Sequence, residues 1–467
     1  MPIKAFCIHA HFYQPPREDP LSGSIPEEPG ASPFKNWNER IFHDCYLPNI
    51  QLGNFRSINL NIGPTLVEWF TREHPDAWSR LVGQLHLPAG HEPSNIIAQP
   101  YHHTILPLAT RLDKITQVRW GIASYEKSFR RKPEGMWLPE TAVDKETLQV
   151  LFDHGIKFTI LAPWQAELRN FDAREPYLVR LPQGKEVAVF FYDKELSTRV
   201  SFDSQSTRNA DLFVEELLLG KFDSIHSNND QLILIASDGE LYGHHKQFRE
   251  KFLAHLISTA LPNHGIELTY PAQWLMKNPP NKYIKIKERT SWSCEHGVER
   301  WKGPCACTSN GEWKARLRDA LNAIAKEIDD IYFDFCEMII RDPWEMRHDY
   351  IRVIQEQISL EEFLQDHGKM RIDAEVAEVI SALLQSQVNR QKMFASCGWF
   401  FDDFERIEPQ NAVRYAAQAV WLARNATGRD ISSSASRKLA QVHSWKTGLK
   451  ADVVFKNHLK RADEFRV

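Results

Sequence analysis

No apolar stretch in this 467-residue chain approaches the roughly 18 residues a membrane-spanning helix needs. Leu232–Ala236 is typical of the short runs present, so no bilayer crossing is expected. Residues 1–16 hold one small apolar patch, around Ala5–Ile8, with no small-residue cleavage site after it, and no secretory leader is expected. Cysteine is scarce: seven residues, an odd number and mostly single, which fits reduced thiols and a cytoplasmic setting better than a disulfide framework. An excess of either charge is missing too. Lys plus Arg is 57 against 61 for Asp plus Glu, a net charge of -4, which argues against the basic stripe of a nucleic-acid binder and against a polybasic membrane-surface protein. Internal repeats, low-complexity tracts and flexible linkers are also lacking. What is there, 42% hydrophobic and 25% charged residues, is the composition of a folded chain, long enough at roughly 150 residues per domain for about three units or for one barrel and a companion.

Up to about residue 300, short runs rich in β-branched and aromatic residues alternate with helical patterns. Ile3–Ile8, Ile58–Ile62, Gly135–Leu138, Phe158–Leu161, Val187–Tyr192 and Leu232–Ala236 read as buried strands; Leu66–Glu73, Leu106–Phe129, Lys145–His154 and Asp211–Leu219 read as helices. This alternation predicts an α/β fold with a parallel sheet, closed or nearly closed into a barrel. From about residue 312 the spacing turns to three and four: Trp313, Leu317, Leu321, Ile324, Ile328 and Ile331, then Val376, Val379, Ile380, Leu383, Leu384 and Val388, with further helices at Asn411–Arg424 and Ser436–Ser444. The division predicted is a barrel over 1–310 and a helical bundle over 311–467.

In a barrel the chemistry gathers where strands end. Three such places are polar: His9, His11 and Gln14 after the first run, Glu140 after Gly135–Leu138, and Asp238, Glu240, His244 and His245 after Leu232–Ala236. Each has a plain structural explanation. His9 and His11 alternate as strand residues do, Glu140 stands where an acidic residue favours a helix start, and Asp238-Gly239 is a turn pair. Together they make a different case. Cleaving a glycosidic bond takes one protonated and one ionised carboxyl, about 5–5.5 Å apart when configuration is retained, and Glu140 and Asp238 suit that pairing. Nearby histidines and tryptophans, Trp137 among the 14 in the chain, would meet sugar hydroxyls and ring faces.

The motifs resemble those of glycoside hydrolase family 57, α-glucan-active enzymes with an incomplete, seven-stranded TIM-like barrel. The first family motif is similar to His9-Ala10-His11 with Gln14-Pro15, the second to Tyr101-His102-His103-Thr104-Ile105-Leu106-Pro107-Leu108. The third resembles Trp137-Leu138-Pro139-Glu140 and the fourth Asp238-Gly239-Glu240-Leu241-Tyr242-Gly243-His244-His245. The resemblance implies that Glu140 is the nucleophile, Asp238 the general acid/base and His103 a substrate contact. It also implies an incomplete (β/α)7 TIM-like barrel followed by a C-terminal α-helical bundle, an oligo- or polysaccharide substrate and no cofactor. The chain departs from the family pattern at Asn95, where an acidic residue is usual, at Thr141 in place of Cys, and at His245 in place of Trp. Cys397-Gly398-Trp399-Phe400-Phe401-Asp402-Asp403 resembles a little-characterised branch of the family.

The stretch from Ser291 to Cys307 stands apart. Trp292, His296, Arg300 and Trp301 are candidates for substrate contact. Cys294, His296, Cys305 and Cys307 make a set that fits a closed, structural Cys3His zinc site, a thiol pair or an ordinary loop; the spacing is not a common zinc pattern. Three functions compete: a retaining α-glucan hydrolase or 4-α-glucanotransferase, a metal-dependent α-mannosidase- or deacetylase-like hydrolase with His9, His11 and Asp238 as ligands, and a non-catalytic glucan-binding or regulatory protein.

Overall fold

The computed structural model describes residues 2–90, 92–222 and 229–465. Its strands are β1 (Lys4–Phe12), β2 (Asn59–Ile62), β3 (Phe158–Leu161), β4 (Tyr177–Arg180), β5 (Glu186–Phe191), β6 (Gln231–Asp238) and β7 (Glu267–Leu268). β1 is central, parallel to β6 along one edge and to β2 and β7 along the other. A second sheet has β5 between parallel β3 and antiparallel β4. Isolated parallel bridges run from Leu60 to Ile96, from Ala98 to Met136 and from Gly135 to Phe158, linking β2 to β3 through two short extended segments. At the far side the Asp193 backbone N–H, just past β5, donates to Leu234 of β6 at 2.7 Å.

Alternate residues along these segments meet in one apolar interior. Ala5 and Cys7 of β1, Ile97, Trp137, Phe158 and Ile160 of β3, Ala188 and Phe190 of β5, and Leu232, Leu234 and Ala236 of β6 form a single buried cluster. The period of two puts His9 and His11 on the same face as Cys7, and Asp238 on the same face as Ala236. The polar residues therefore continue the interior rather than leaving it.

The expected strands at Ile3–Ile8 and Leu232–Ala236 are longer than their apolar runs. β1 and β6 stay paired through His9↔Ala236, Ala10↔Ser237 and His11↔Asp238, so the histidines and the aspartate lie within the strands, not in loops after them. Gly135–Leu138 makes only bridges, too short for a full ladder.

The chain forms two interleaved compact units. The first comprises Met1–Gln14, Glu27–Pro100 and Tyr125–Trp292; the second comprises Pro15–Pro26, Tyr101–Ser124 and Ser293–Val467. The division thus falls after Trp292 rather than at 310, and two N-terminal segments join the second unit. That unit is helical: Glu312–Cys336, Ala374–Lys392, Ile407–Thr427, Ser432–Leu439 and Ala451–Phe465 realise the spacing of three and four, the last without a counterpart among the expected helices. Around Tyr101 and Trp120 close Ile331, Tyr332, Ile380, Leu383 and Leu384. No helix of the described residues is long and apolar enough to cross a membrane.

Candidate active site

The first unit's site is built upward from β1 and β2. The parallel register sets His9 beside Asn59 and His11 beside Asn61. His9 Nδ1 is 2.6 Å from Asn59 Nδ2, His11 Nδ1 is 3.0 Å from Asn61 Nδ2, and Asn61 donates onward to Gln99 at 2.7 Å. Trp137 lies under both imidazoles, with ring centroids 4.4 Å from His9 and 5.3 Å from His11 and planes within 28° of parallel. Trp137 is fully buried, so it serves as a floor beneath the histidines and not as an open platform for a sugar ring. Burial, reinforced by the neighbouring His11, holds His9 well below the usual imidazole range. Burial holds His11 down at about 4, against a hydrogen bond from Asn61.

Glu140 follows Trp137 in a tight turn, Pro139–Thr141. Its φ is 57° and that of Thr141 is 48°, left-handed conformations that a β-branched residue rarely takes and that cost on the order of 1–3 kcal/mol each. Gln165 holds the turn in place. Thr141 Oγ1 donates to Gln165 Oε1 at 2.9 Å, and Gln165 Nε2 donates back to the Thr141 carbonyl at 2.8 Å. The following helix, Lys145–Asp153, is capped by Asp144, whose carboxylate accepts from the Thr147 backbone. Glu140 is not the helix cap. Instead Trp292 grips it twice: the backbone N–H of Trp292 donates to the Glu140 carbonyl at 3.0 Å and the indole N–H to Oε2 at 2.9 Å.

Across β1 from this turn, β6 delivers Asp238 opposite His11. The residue opens to solvent at the strand end while protein surrounds it at longer range. That desolvation, then the charges of Glu240 and Glu140, push its carboxyl up to about 8; water on the open side softens the shift without changing its direction. The next residue must be glycine. A Cβ on Gly239 would lie 2.3 Å from the ring of Phe12, so any other residue would displace either β1 or the carboxylates flanking it. Glu240 turns inward and is buried. Its Oε1 accepts from Tyr46 Oη at 2.7 Å, from the Tyr13 backbone at 3.2 Å and from Gln14 Nε2 at 3.4 Å. Burial raises it to about 7 against those hydrogen bonds. His244 Nδ1 stands 3.0 Å from Asp44, and exposed His245 lies beside it, ring centroids 5.0 Å apart.

The structure therefore brings His9, His11, Gln14, Trp137, Glu140, Asp238, Glu240, His244, His245 and Trp292 into the first unit. His103, His296, Arg300 and Trp301 belong to the second. There His103 Nδ1 is 2.6 Å from Ser396 Oγ and Arg300 stacks over Phe400. Trp301 is fully buried, its carbonyl accepting from Arg318, so its ring has no open face for a sugar. Asn59, Asn61, Gln99 and Tyr46 were not anticipated. Asn59-x-Asn61 on a strand matches the period of His9-x-His11, and that shared alternation was the available signal. His9, His11 and Asp238 do not form a metal-ligand cluster; among the described residues the group that converges in that way is Cys294, His296, Cys305 and Cys307.

The departure at Asn95 has a structural cause. Its amide donates to the carbonyls of Phe55 and Ile58 at 2.9 and 2.8 Å, and its oxygen accepts from the His86 backbone. A carboxylate cannot make those donations. Asn95→Asp is expected to destabilise the first unit by about 1–3 kcal/mol for each carbonyl left without a donor. An unchanged urea unfolding midpoint would contradict this account.

The fold is that of an α/β protein in which the charges of Glu240 and Glu140 act on Asp238 at the carboxyl end of a parallel strand. The family described as glycosyl hydrolase family 57 matches residues 28–287, more than half of the chain, and a domain of unknown function matches residues 310–462. The chain belongs to glycosyl hydrolase family 57. It is 24% identical over 190 residues to alpha-amylase 1 of Dictyoglomus thermophilum, a match covering 40% of this chain and 26% of that relative, so it spans about a quarter of the relative's length. An exo-type maltose-forming amylase from Pyrococcus sp. ST04 shares the fold with a TM-score of 0.75 and 15% identity over 97% of this chain and 88% of that one. A family 57 branching enzyme from Pyrococcus horikoshii does so with a TM-score of 0.64 and 15% identity over 98% and 95%.

Proposed function

We propose that this protein is a retaining glycoside hydrolase or 4-α-glucanotransferase acting on α-glucans. The observation that carries the reading is the electrostatic coupling of two carboxyls on separate segments, Glu140 gripped by Trp292 in the turn after residues 135–137 and Asp238 at the end of β6, raised by desolvation and by its negative neighbours. Glu140 attacks the anomeric carbon while Asp238 gives its proton to the leaving oxygen. Asp238 then takes a proton from water, or from a sugar hydroxyl, as that acceptor displaces Glu140. His9, His11, Gln14, His244, His245 and Trp292 would position the sugar, with Glu240 ordering the β1 end from below. Membership of the family, together with relatives named for amylase, branching and glucanotransferase activities, supports an α-glucan substrate.

The finer fold reading rests on the same frame. Besides the two-residue β7, five strands with parallel partners, β1, β2, β3, β5 and β6, together with the bridged segments at 96–98 and 135–137, support an incomplete (β/α)7 barrel. Seven cysteines, none bridged, support a cytoplasmic setting.

Incubation with maltooligosaccharides and with glycogen, followed by chromatography, is expected to yield either shorter glucans or a redistributed ladder of chain lengths. Binding of these glucans with no new product would instead establish a glucan-binding protein.

A further inference from the structure

The loop that opens the long C-terminal segment of the second unit, from Ser293, brings four ligands to one point. Cys294 and Cys305 are buried, Cys307 is half-buried and His296 is exposed. Their ligand atoms all lie within 4.8 Å of one another. Cys294 Sγ is 3.5 Å from Cys305 Sγ and 3.9 Å from Cys307 Sγ, while His296 Nδ1 is 3.3 Å from Cys305 Sγ and 3.4 Å from Cys307 Sγ. A tetrahedron with metal–sulfur bonds of about 2.3 Å and a metal–nitrogen bond of about 2.0 Å has edges of about 3.5–3.8 Å between its ligands. The four distances given, 3.3 to 3.9 Å, lie close to those edges, and no ligand atom is more than 4.8 Å from another.

We propose that Cys294, His296, Cys305 and Cys307 bind one zinc ion in a closed, structural Cys3His site. The ligands come as two pairs, Cys294-x-His296 and Cys305-x-Cys307, each separated by one residue; the arrangement found here turns both members of each pair to one point, so the short spacing is no obstacle. Binding releases three thiol protons to solvent, and His296 gives the lone pair of Nδ1 while keeping its proton on Nε2. The product is one dication with three thiolates, a net charge of -1. Lys314, fully buried, reaches Thr308 Oγ1 at 3.5 Å and interacts electrostatically with Cys305 and Cys294, and Arg300 donates to the Cys307 carbonyl at 3.4 Å. These cations offset the surplus negative charge. Four protein ligands leave no open position for water, which assigns the ion to holding the loop and not to catalysis.

Cobalt is a direct probe. Titration of the reduced full-length protein with cobalt is expected to produce a thiolate-to-metal charge-transfer band and the intense visible absorption of a tetrahedral ion, saturating at one equivalent and bleached by one equivalent of zinc. Cys307→Ser, at the half-buried position, should weaken binding at least tenfold with an unchanged far-ultraviolet circular dichroism spectrum. Absence of the charge-transfer band in the wild type, saturation at a stoichiometry other than one, or an identical titration in Cys307→Ser would overturn the assignment. Should Cys307→Ser fail to fold, the wild-type titration decides alone.

Discussion

Glu140→Ala is expected to reduce turnover of α-glucans on the order of 10⁴–10⁶-fold, the scale on which removing a covalent nucleophile acts in other enzymes. At about 1.4 kcal/mol per tenfold, that is roughly 5–8 kcal/mol of transition-state stabilisation. Substrate affinity should change little, because the polar residues proposed to position the sugar, His9, His11, Gln14, His244 and His245, stay in place. The same variant should be rescued by azide with an activated aryl α-glycoside. The small anion fits where the carboxylate was and attacks from the same face, and with no second displacement the product is the β-glycosyl azide. Removal of Glu140 also frees the indole of Trp292, so loss of activity alone is ambiguous; the inverted azide product is what separates a nucleophile from a positioning group. Turnover within tenfold of wild type would remove Glu140 from the mechanism and with it the proposed reaction.

The second large effect concerns Asp238. Its carboxyl is raised to about 8, so the acid form needed for proton donation persists through neutrality and is lost as pH rises through that region. kcat/KM should therefore fall on the alkaline side near that value, and on the acid side as the nucleophile is protonated. Glu240, raised to about 7 and coupled to Asp238, titrates in the same window, so the limbs belong to the group of carboxyls and not to one residue. Asp238→Asn abolishes the donor while keeping shape. Loss on glucans of about 10²–10⁴-fold is expected, the usual contribution of a general acid, with much smaller loss on aryl glycosides whose phenolate leaves unaided. The alkaline limb should vanish with those substrates. Equal loss on both substrate classes would make Asp238 a positioning residue and turn attention to Glu240, two residues on.

The candidate pair was legible because its surroundings are local: a buried run followed within a few residues by a charged motif names a strand end without any tertiary knowledge. The helices Glu312–Cys336 and Ala374–Lys392 were legible for the same reason, their apolar residues recurring within each turn, whereas Ala451–Phe465 was not. What escaped was non-local. β4 pairs antiparallel to β5 with only Val179 and Tyr177 deeply buried, too weak an alternation to stand out, and the segments at 96–98 and 135–137 hold their places by single bridges. That Tyr101–Ser124 joins the second unit is decided by partners such as Gln391 and His348, more than two hundred residues away in sequence. The Asn–His ladder escaped for a similar reason: its partners lie 50 residues apart in the chain, and only the parallel register brings them side by side.

That ladder bears on how the site treats a cation. Cleavage of a glycosidic bond gives the sugar ring a positive charge it did not have, and any protonated group beside it would work against that change. His9 and His11 are held as neutral imidazoles by burial, each with one nitrogen turned to an asparagine, and the π-face of Trp137 lies behind them. The wall they form is polar enough to meet hydroxyl groups and yet adds no positive charge near neutral pH. In the proposed reaction that uncharged wall sets no positive charge beside the developing cation, so a Glu140 carboxylate oriented in advance by the Trp292 indole N–H has no imidazolium to work against.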